Sequence, residues 1–349
     1  MSTTNHTANE TISDAIPGQS PVTAKVERGS GPSRRSVLAA AAAMFAVPLV
    51  GRASQNAPAP SAAPRKRSMR IVHMTDTHIQ PEKGADKGVA ACLSHIGSLA
   101  DRPELIVTGG DLIMDGFAED EARTRLQWEL FNKAFANAPA PVAHTLGNHD
   151  IWGWNKGKSK TTGAERGWGK VLATDTLGME RPYGVVIRGD WRIITLDSTH
   201  VDPQDANGYI ARLDDAQMDW FAKELAAATP AKHTLVVSHI PILTVTSILG
   251  GPREGGSVRQ VSGGIMHIDS PRLRELMEKS NVRACLSGHT HRIDEVKHRG
   301  ITYFCNGAVS GSWWGGPNAE ATEGYAIMDL YDDGTVERTY MPDGWRVVK

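Results

Sequence analysis

The chain has 349 residues, a formal net charge of −1 and 40% hydrophobic residues, room for one large domain or two small ones and no charge excess of the kind that nucleic acid or an anionic membrane surface attracts. Its three cysteines, Cys92, Cys285 and Cys305, are odd in number and lack C-x-x-C spacing, which argues against a disulfide framework or a zinc ribbon. All three lie in apolar runs and read as buried, inert thiols, while the 13 histidines are compatible with a metal enzyme without establishing one.

Residues 1–33 are rich in Ser, Thr, Gly and Pro and show neither a helical nor a strand period. Ser33-Arg34-Arg35-Ser36 then precedes an Ala-rich apolar run to Val50. The uncharged stretch between Arg35 and Arg52 is shorter than the ~20 residues a spanning helix needs and suits the apolar core of a signal peptide. Paired arginines ahead of a weakly apolar run resemble a twin-arginine export signal, with cleavage expected at Gly51-Arg52-Ala53. The expected layout is a signal peptide over residues 1–53, a flexible linker over 54–67 and a folded domain over 68–349. The resemblance implies the twin-arginine export machinery as a partner, a periplasmic or secreted location and no stable membrane insertion after cleavage. A chain exported already folded can carry a metal chosen in the cytoplasm. A short N-terminal helix or anchor is the alternative.

Met69–Thr75 reads as a buried strand ending in Asp76-Thr77-His78. Residues two apart just past a strand can turn toward one point, and a carboxylate with an imidazole suits a divalent transition metal. His73, inside the strand, reads as structural. A helix with Val89, Leu93, Ile96 and Ala100 on one face follows, then a strand Glu104–Thr108 and Gly109-Gly110-Asp111. The glycines let the backbone bend and expose Asp111, whose two oxygens can bridge two cations. Asp115 reads as a turn or supporting residue. A helix with Leu126, Leu130 and Ala134 on one side leads to a strand Pro141–Leu146 and then Gly147-Asn148-His149-Asp150. Asn148 is a neutral oxygen donor. His149 cannot easily point the same way and is free for another task, such as proton transfer. Strand, site and helix repeat in the α/β manner, in which ligands gather outside the strand carboxyl ends.

Residues 151–182 have little period and mix Trp152, Trp154 and Trp168 with lysines and Arg166, either a loop that contacts a phosphorylated substrate or a solvated excursion. Val185–Ile187 and Trp191–Leu196 flank Gly189-Asp190 as a hairpin, with Asp197 at its end reading as a supporting or structural residue and a metal ligand as the alternative. A helix over Leu213–Ala227 turns Trp220, Phe221 and Leu225 inward, and a strand Thr234–Ser238 ends in His239. Thr244–Gly264, with Arg253 and Arg259, is a second candidate substrate loop. Ser270-Pro271 opens a helix as cap and first-turn proline. The strand Val282–Ser287 ends in Gly288-His289-Thr290-His291, two histidines two apart after a glycine bend, a good metal pair. Ile301–Cys305, Tyr325–Tyr331 and Val336–Tyr340 read as closing antiparallel strands, and Ser312-Trp313-Trp314-Gly315-Gly316 as core packing or a substrate wall.

In order, the motifs D-x-H, G-D, G-N-H-D, H and G-H-x-H over roughly residues 69–349 resemble the calcineurin-like metallophosphoesterase family. The resemblance implies an α/β fold, a four-layer αββα sandwich of two mixed sheets with a dimetal site at the strand carboxyl ends. It implies one metal held by Asp76, His78, Asp111 and His291, and another by Asp111, Asn148, His239 and His289. His149 would approach the leaving-group oxygen, oriented or tuned by Asp150. Two divalent cations (Mn, Fe, Zn or Co) about 3.5–4 Å apart would neutralise the phosphoryl oxygens and activate a water, without a Ser or Cys nucleophile or a covalent intermediate.

Protein Ser/Thr phosphatases of that family show G-D-x-x-D-R-G and G-N-H-E, whereas this chain has Met114, Asp115-Gly116 and Asp150. Purple acid phosphatases place a Tyr ligand where Met114 stands. The layout is similar to the small-molecule branch that includes class III cyclic-nucleotide phosphodiesterases. A small phosphodiester is the expected substrate, with a phosphomonoesterase or nucleotidase as the alternative and a non-catalytic scaffold of the same fold as the third reading. No nucleic-acid polymer is expected as a partner.

Overall fold

Strands covered on both faces read as unbroken apolar runs, because neither set of alternating side chains meets water. The central strands of this chain are of that kind. The computed structural model describes residues 65–227, 229, 231–249, 261–318 and 321–345. The expected signal peptide, most of the linker, and Arg253 and Arg259 lie outside the described residues.

The first half comprises β1 (Arg67–Met74), α1 (Ala85–Ser98), β2 (Leu105–Thr108), α2 (Glu121–Phe135), β3 (Val142–Ala143), α3 (Lys156–Ser159) and α4 (Val171–Leu177). Then come β4 (Gly184–Arg188), β5 (Trp191–Leu196), β6 (Thr199–Val201), β7 (Tyr209–Ala211), α5 (Asp215–Ala226) and β8 (His233–Ser238). The chain closes with α6 (Ser270–Glu278), β9 (Val282–Ser287), β10 (Ile293–His298), β11 (Ile301–Asn306), β12 (Gly324–Tyr331) and β13 (Val336–Pro342).

One sheet has the order β13-β12-β1-β2-β3 and a second the order β10-β11-β9-β8-β5-β4, with β6-β7 as a small separate pair. Both are mixed. β1, β2 and β3 run parallel while β12 and β13 are antiparallel; β5, β8, β9 and β11 run parallel between antiparallel β4 and β10. Met69, Ile71, Leu105 and Val107 of the first sheet pack against Trp191, Ile193, Leu235, Val237 and Leu286 of the second. The alternate residues Val72, Met74 and Ile106 turn outward to Val89, Leu93 and Ile96 of α1 and Trp128 and Phe131 of α2. On the far side, Ile194, Val236 and Cys285 meet Met218 and Phe221 of α5 and Leu273 and Met277 of α6. The result is the helix–sheet–sheet–helix sandwich of two mixed sheets. Each buried aliphatic or aromatic side chain in these layers contributes roughly 1.5–3 kcal/mol. The three cysteines are free and buried, as expected.

Several local expectations are corrected. The buried residues of α2 are Thr124, Gln127, Trp128 and Phe131, while Leu126 is 40% exposed. Trp128 and Phe131 offer more area than the leucines, and Gln127 donates its amide to Asp115 O at 2.8 Å and accepts from Asp115 N at 2.9 Å. Ala100 lies beyond the end of α1 and is exposed. β3 pairs over only two residues, although Thr145 and Leu146 are buried. β11 is parallel to β9 rather than antiparallel throughout. Asp269, not Ser270, occupies the N-cap of α6; Ser270 Oγ donates instead to Ile242 O at 2.6 Å.

Candidate metal centre

The parallel strands of both sheets end on one side, and every site motif is the turn that follows such a strand: Asp76 and His78 after β1, Asp111 after β2, Asn148 to Asp150 past β3, His239 after β8, His289 and His291 after β9. To bend back over the sheet edge, five of these residues take a left-handed backbone: Asp76 (φ 55°), His78 (φ 40°), Asp111 (φ 52°), His289 (φ 67°) and His291 (φ 53°). That region costs a non-glycine residue on the order of 1–2 kcal/mol, and it persists only where the surroundings enforce it. Here they do. Asp76 N donates to Gly110 O at 2.9 Å, His78 N to Asp111 O at 3.0 Å, and across the sandwich His289 N donates to Asp76 Oδ2 at 3.0 Å.

Asp111 is central. Its Oδ2 lies 3.1 Å from His239 Nε2, 3.6 Å from His78 Nε2 and 4.0 Å from His149 Nε2, and its Oδ1 accepts from His149 N at 2.9 Å. On the other side of His78, Asp76 Oδ1 is 3.2 Å from His291 Nε2, and the Nε2 atoms of His78 and His291 face each other at 3.0 Å. His239 and His289 pack edge to face at 5.2 Å. The ligand atoms of Asp76, His78 and His291, and those of Asp111, His239 and His289, thus form two groups, each within 4.8 Å, and His78, Asp111 and His149 form a third between them.

Charge in this buried cluster is pushed apart. Burial raises the Asp76 carboxyl, but the charge and hydrogen bond of His291 and the charge of His239 together outweigh that and hold it at about 2. Burial lowers His239, but the charge and hydrogen bond of Asp111, the charge of Asp76 and the Gly109 carbonyl together outweigh that and lift it to about 9. Burial, with positive His239 nearby, lowers His289 to about 4. Two ionised carboxylates beside imidazoles that coordinate once deprotonated are the donor set a divalent transition metal takes. The orphaned atoms agree: Asn148 Oδ1 and both ring nitrogens of His289 are buried without a hydrogen-bond partner. A buried polar atom left bare costs about 1–3 kcal/mol, which a cation would offset. The residues present therefore fit a pair of metal ions.

His149 is set apart. Its Nδ1 lies 2.6 Å from Met114 O; a carbonyl only accepts, so Nδ1 carries the proton and Nε2 faces the cluster. The expectation that Asp150 orients His149 is corrected. The Asp150 carboxylate instead accepts from Gly147 N at 2.7 Å, Leu112 N at 2.7 Å and Ile113 N at 3.1 Å, stapling the Asp111 loop to the His149 loop. Burial and the Asp111 charge push it up to about 7. Asp115 accepts from Ala118 N in its own turn, and Asp197 pairs with the Lys170 ammonium. Neither joins the cluster. His73 stays in the core with Asn306.

Some supports were invisible in the chain. His239 Nδ1 donates to Gly109 O at 2.7 Å and His291 Nδ1 to Gly311 O at 2.6 Å, so backbone carbonyls fix both ring orientations. Below His239, Ser238 Oγ is 3.0 Å from His267 Nε2, whose Nδ1 is 2.9 Å from Asp269 Oδ1. That order matches a nucleophile–base–carboxylate triad, yet Ser238 is 1% exposed and its hydroxyl donates to Ile240 O. It is a brace, not a second catalytic site.

Gly288 has no room for a side chain. A Cβ there would sit 1.9 Å from Thr75 Oγ1 and 2.2 Å from Asp76 Oδ2. Gly288→Ala is expected to cost at least ~1–3 kcal/mol by overpacking and to displace Asp76. Urea unfolding of the purified variant measures it, and an unchanged midpoint would show that the Thr75 turn yields freely.

Residues 69–292 match the calcineurin-like phosphoesterase family. The chain belongs to that family. As a calcineurin-like phosphoesterase it is a metal-dependent phosphoester hydrolase. It is 24% identical over 294 residues to a probable cyclic nucleotide phosphodiesterase of Rhodococcus erythropolis, covering 79% of this chain and 84% of that one. A cAMP/cGMP dual specificity phosphodiesterase of Mycobacterium tuberculosis is 24% identical over 287 residues, 78% and 79% of the two chains. A probable glycerophosphodiester phosphodiesterase of Arcobacter nitrofigilis is 25% identical over 236 residues, 64% and 72% of the two. In fold, the chain is similar to a dimetal phosphatase of Danio rerio, with a TM-score of 0.57 at 12% identity, covering 80% of this chain and 97% of that one.

Proposed function

We propose that this calcineurin-like phosphoesterase hydrolyses small phosphodiesters at a two-metal centre, after export through the twin-arginine route to the periplasm or the exterior. The observation that carries the reading is Asp111, one buried carboxylate with an oxygen within 4.0 Å of three imidazole Nε2 atoms. Asp76, His78, Asp111 and His291 would hold one metal, and Asp111, Asn148, His239 and His289 the other. Bound there, the pair (Mn, Fe, Zn or Co) supplies charge neutralisation at the phosphoryl oxygens and a more acidic water.

The remaining work falls to the chain itself. His149, anchored by Nδ1–H on Met114 O, presents Nε2 toward the cluster; as imidazolium it carries a second proton there to give to the departing alkoxide, which leaves the neutral ring protonated at Nδ1. Asp150 keeps the loops bearing Asp111 and His149 in register. Three relatives whose names specify phosphodiesterases support a diester over a monoester. Arg34 and Arg35 before the apolar run support export.

Hydrolysis of bis- and mono-p-nitrophenyl phosphate with Mn²⁺ tests the reading. The diester is expected to turn over faster. Preference for the monoester would make the protein a phosphomonoesterase or nucleotidase, and turnover of neither with metal demonstrably bound would leave a scaffold.

A further inference from the structure

Trp313 and Trp314 are adjacent, bulky and both left-handed, at φ 48° and 63°. A pair of large residues in that region is rare and needs a cause. For Trp314 the cause is visible. Its indole is 1% exposed, fills the space above Gly88, and donates through Nε1 to Thr77 O and His78 O, each at 3.1 Å. It clamps the first metal motif from behind. Burial does not explain Trp313, which is 40% exposed. Its ring lies at the edge of the metal cluster, 4.6 Å from the His291 ring and 6.0 Å from the His78 ring.

The turn that carries Trp313 is pinned on every side. Val309 N donates to Thr75 O, Ser310 N to Asp76 O and Trp314 N to Ser310 O, while Gly311 O accepts from His291 Nδ1. Lys83 Nζ donates to Trp313 O at 2.9 Å. The indole is thus displayed from backbone that also holds Asp76 and His291. An exposed aromatic plane fixed in advance loses little freedom when a flat ring settles on it.

From this juxtaposition we infer that Trp313 is a specificity-determining residue, a stacking platform for a purine or pyrimidine ring on the phosphodiester. The inference rests on the phosphodiesterase reading above and narrows its substrate class to nucleotide-like diesters. Ring stacking on an aromatic side chain tolerates any base, because every base has a π face. Trp313 therefore sets a preference for a base over none, not for one base over another.

The test uses the mature, Mn²⁺-loaded chain with 3′,5′-cyclic AMP and with glycerophosphoethanolamine, a diester with no aromatic ring. Trp313→Ala is expected to lower kcat/KM for the cyclic nucleotide roughly tenfold or more beyond its effect on the aliphatic diester, chiefly through KM. Trp313→Phe should recover most of that loss. Equal losses on both diesters, or no loss on the cyclic nucleotide, would make Trp313 a shield for His291 and overturn the inference. If the wild-type chain cleaves neither diester, the phosphodiesterase reading fails by itself. Stacking is then read from inhibition of whichever phosphoester is cleaved: adenosine 5′-phosphate should outcompete ribose 5-phosphate in wild type but not in Trp313→Ala. An unchanged ratio between the two overturns it.

Discussion

Asp111→Asn is expected to empty both metal positions together and to reduce kcat/KM by about 10³-fold or more, ~4 kcal/mol of transition-state stabilisation. Asn is nearly the same size, so the change is electrostatic. Its retained oxygen can still accept from His149 N, as Asp111 Oδ1 does at 2.9 Å, and the loop keeps its shape. The other position becomes an NH₂ donor facing His239 Nε2, where Oδ2 now stands at 3.1 Å. A neutral amide cannot share two lone-pair-bearing oxygens between two cations. In a buried site little solvent is present to substitute for the lost charge. Metal analysis of the purified variant, beside kinetics on a p-nitrophenyl diester, checks both parts. Two metals per chain would mean that Asp111 does not bridge.

His149→Ala should act differently. The clusters Asp76–His78–His291 and Asp111–His239–His289 close without it, so metal content should stay near the wild-type value. What is lost is the imidazole that Met114 O holds by Nδ1. Diesters with basic alkyl leaving groups are expected to slow by about 10²–10⁴-fold, since the departing oxygen needs a proton. Esters of p-nitrophenol should slow by far less, because that phenolate departs unprotonated. The measurement is kcat/KM across leaving groups of graded basicity, in wild type and variant. Parallel losses along the whole series would remove His149 from the acid role and leave it a merely structural contact of the Asp111 loop.

Much of the sandwich was legible because its central strands are buried twice over. Met69–Met74 and Thr234–Ser238 lie within strands close to their expected limits, and Val282–Ser287 coincides with its strand. An apolar run cut short by Gly, Asp or His marks a strand end whatever it later packs against. Edge and surface elements were harder. β10 (Ile293–His298) alternates weakly and is half exposed, and β3 leaves its ladder after two residues. The inward side of α2 was misread because its apolar residues lie on more than one side, and the winning side was chosen by what Trp128 and Phe131 could fill.

By itself the sequence determined which residues are available for the chemistry: each of Asp76, His78, Asp111, Asn148, His149, His239, His289 and His291 follows a strand-like apolar run, and local patterning is enough to show that. Only the tertiary structure decided who touches whom. His289 N finds the Asp76 carboxylate across 213 residues of chain, Asp150 turns from His149 to three backbone N–H groups, and of two neighbouring tryptophans one is buried and one displayed. Periodicity records how often a side chain returns to the same face. The meeting of two sheet edges depends on how whole layers stack, and a strained left-handed turn can be read only once its enforcing neighbours are in place.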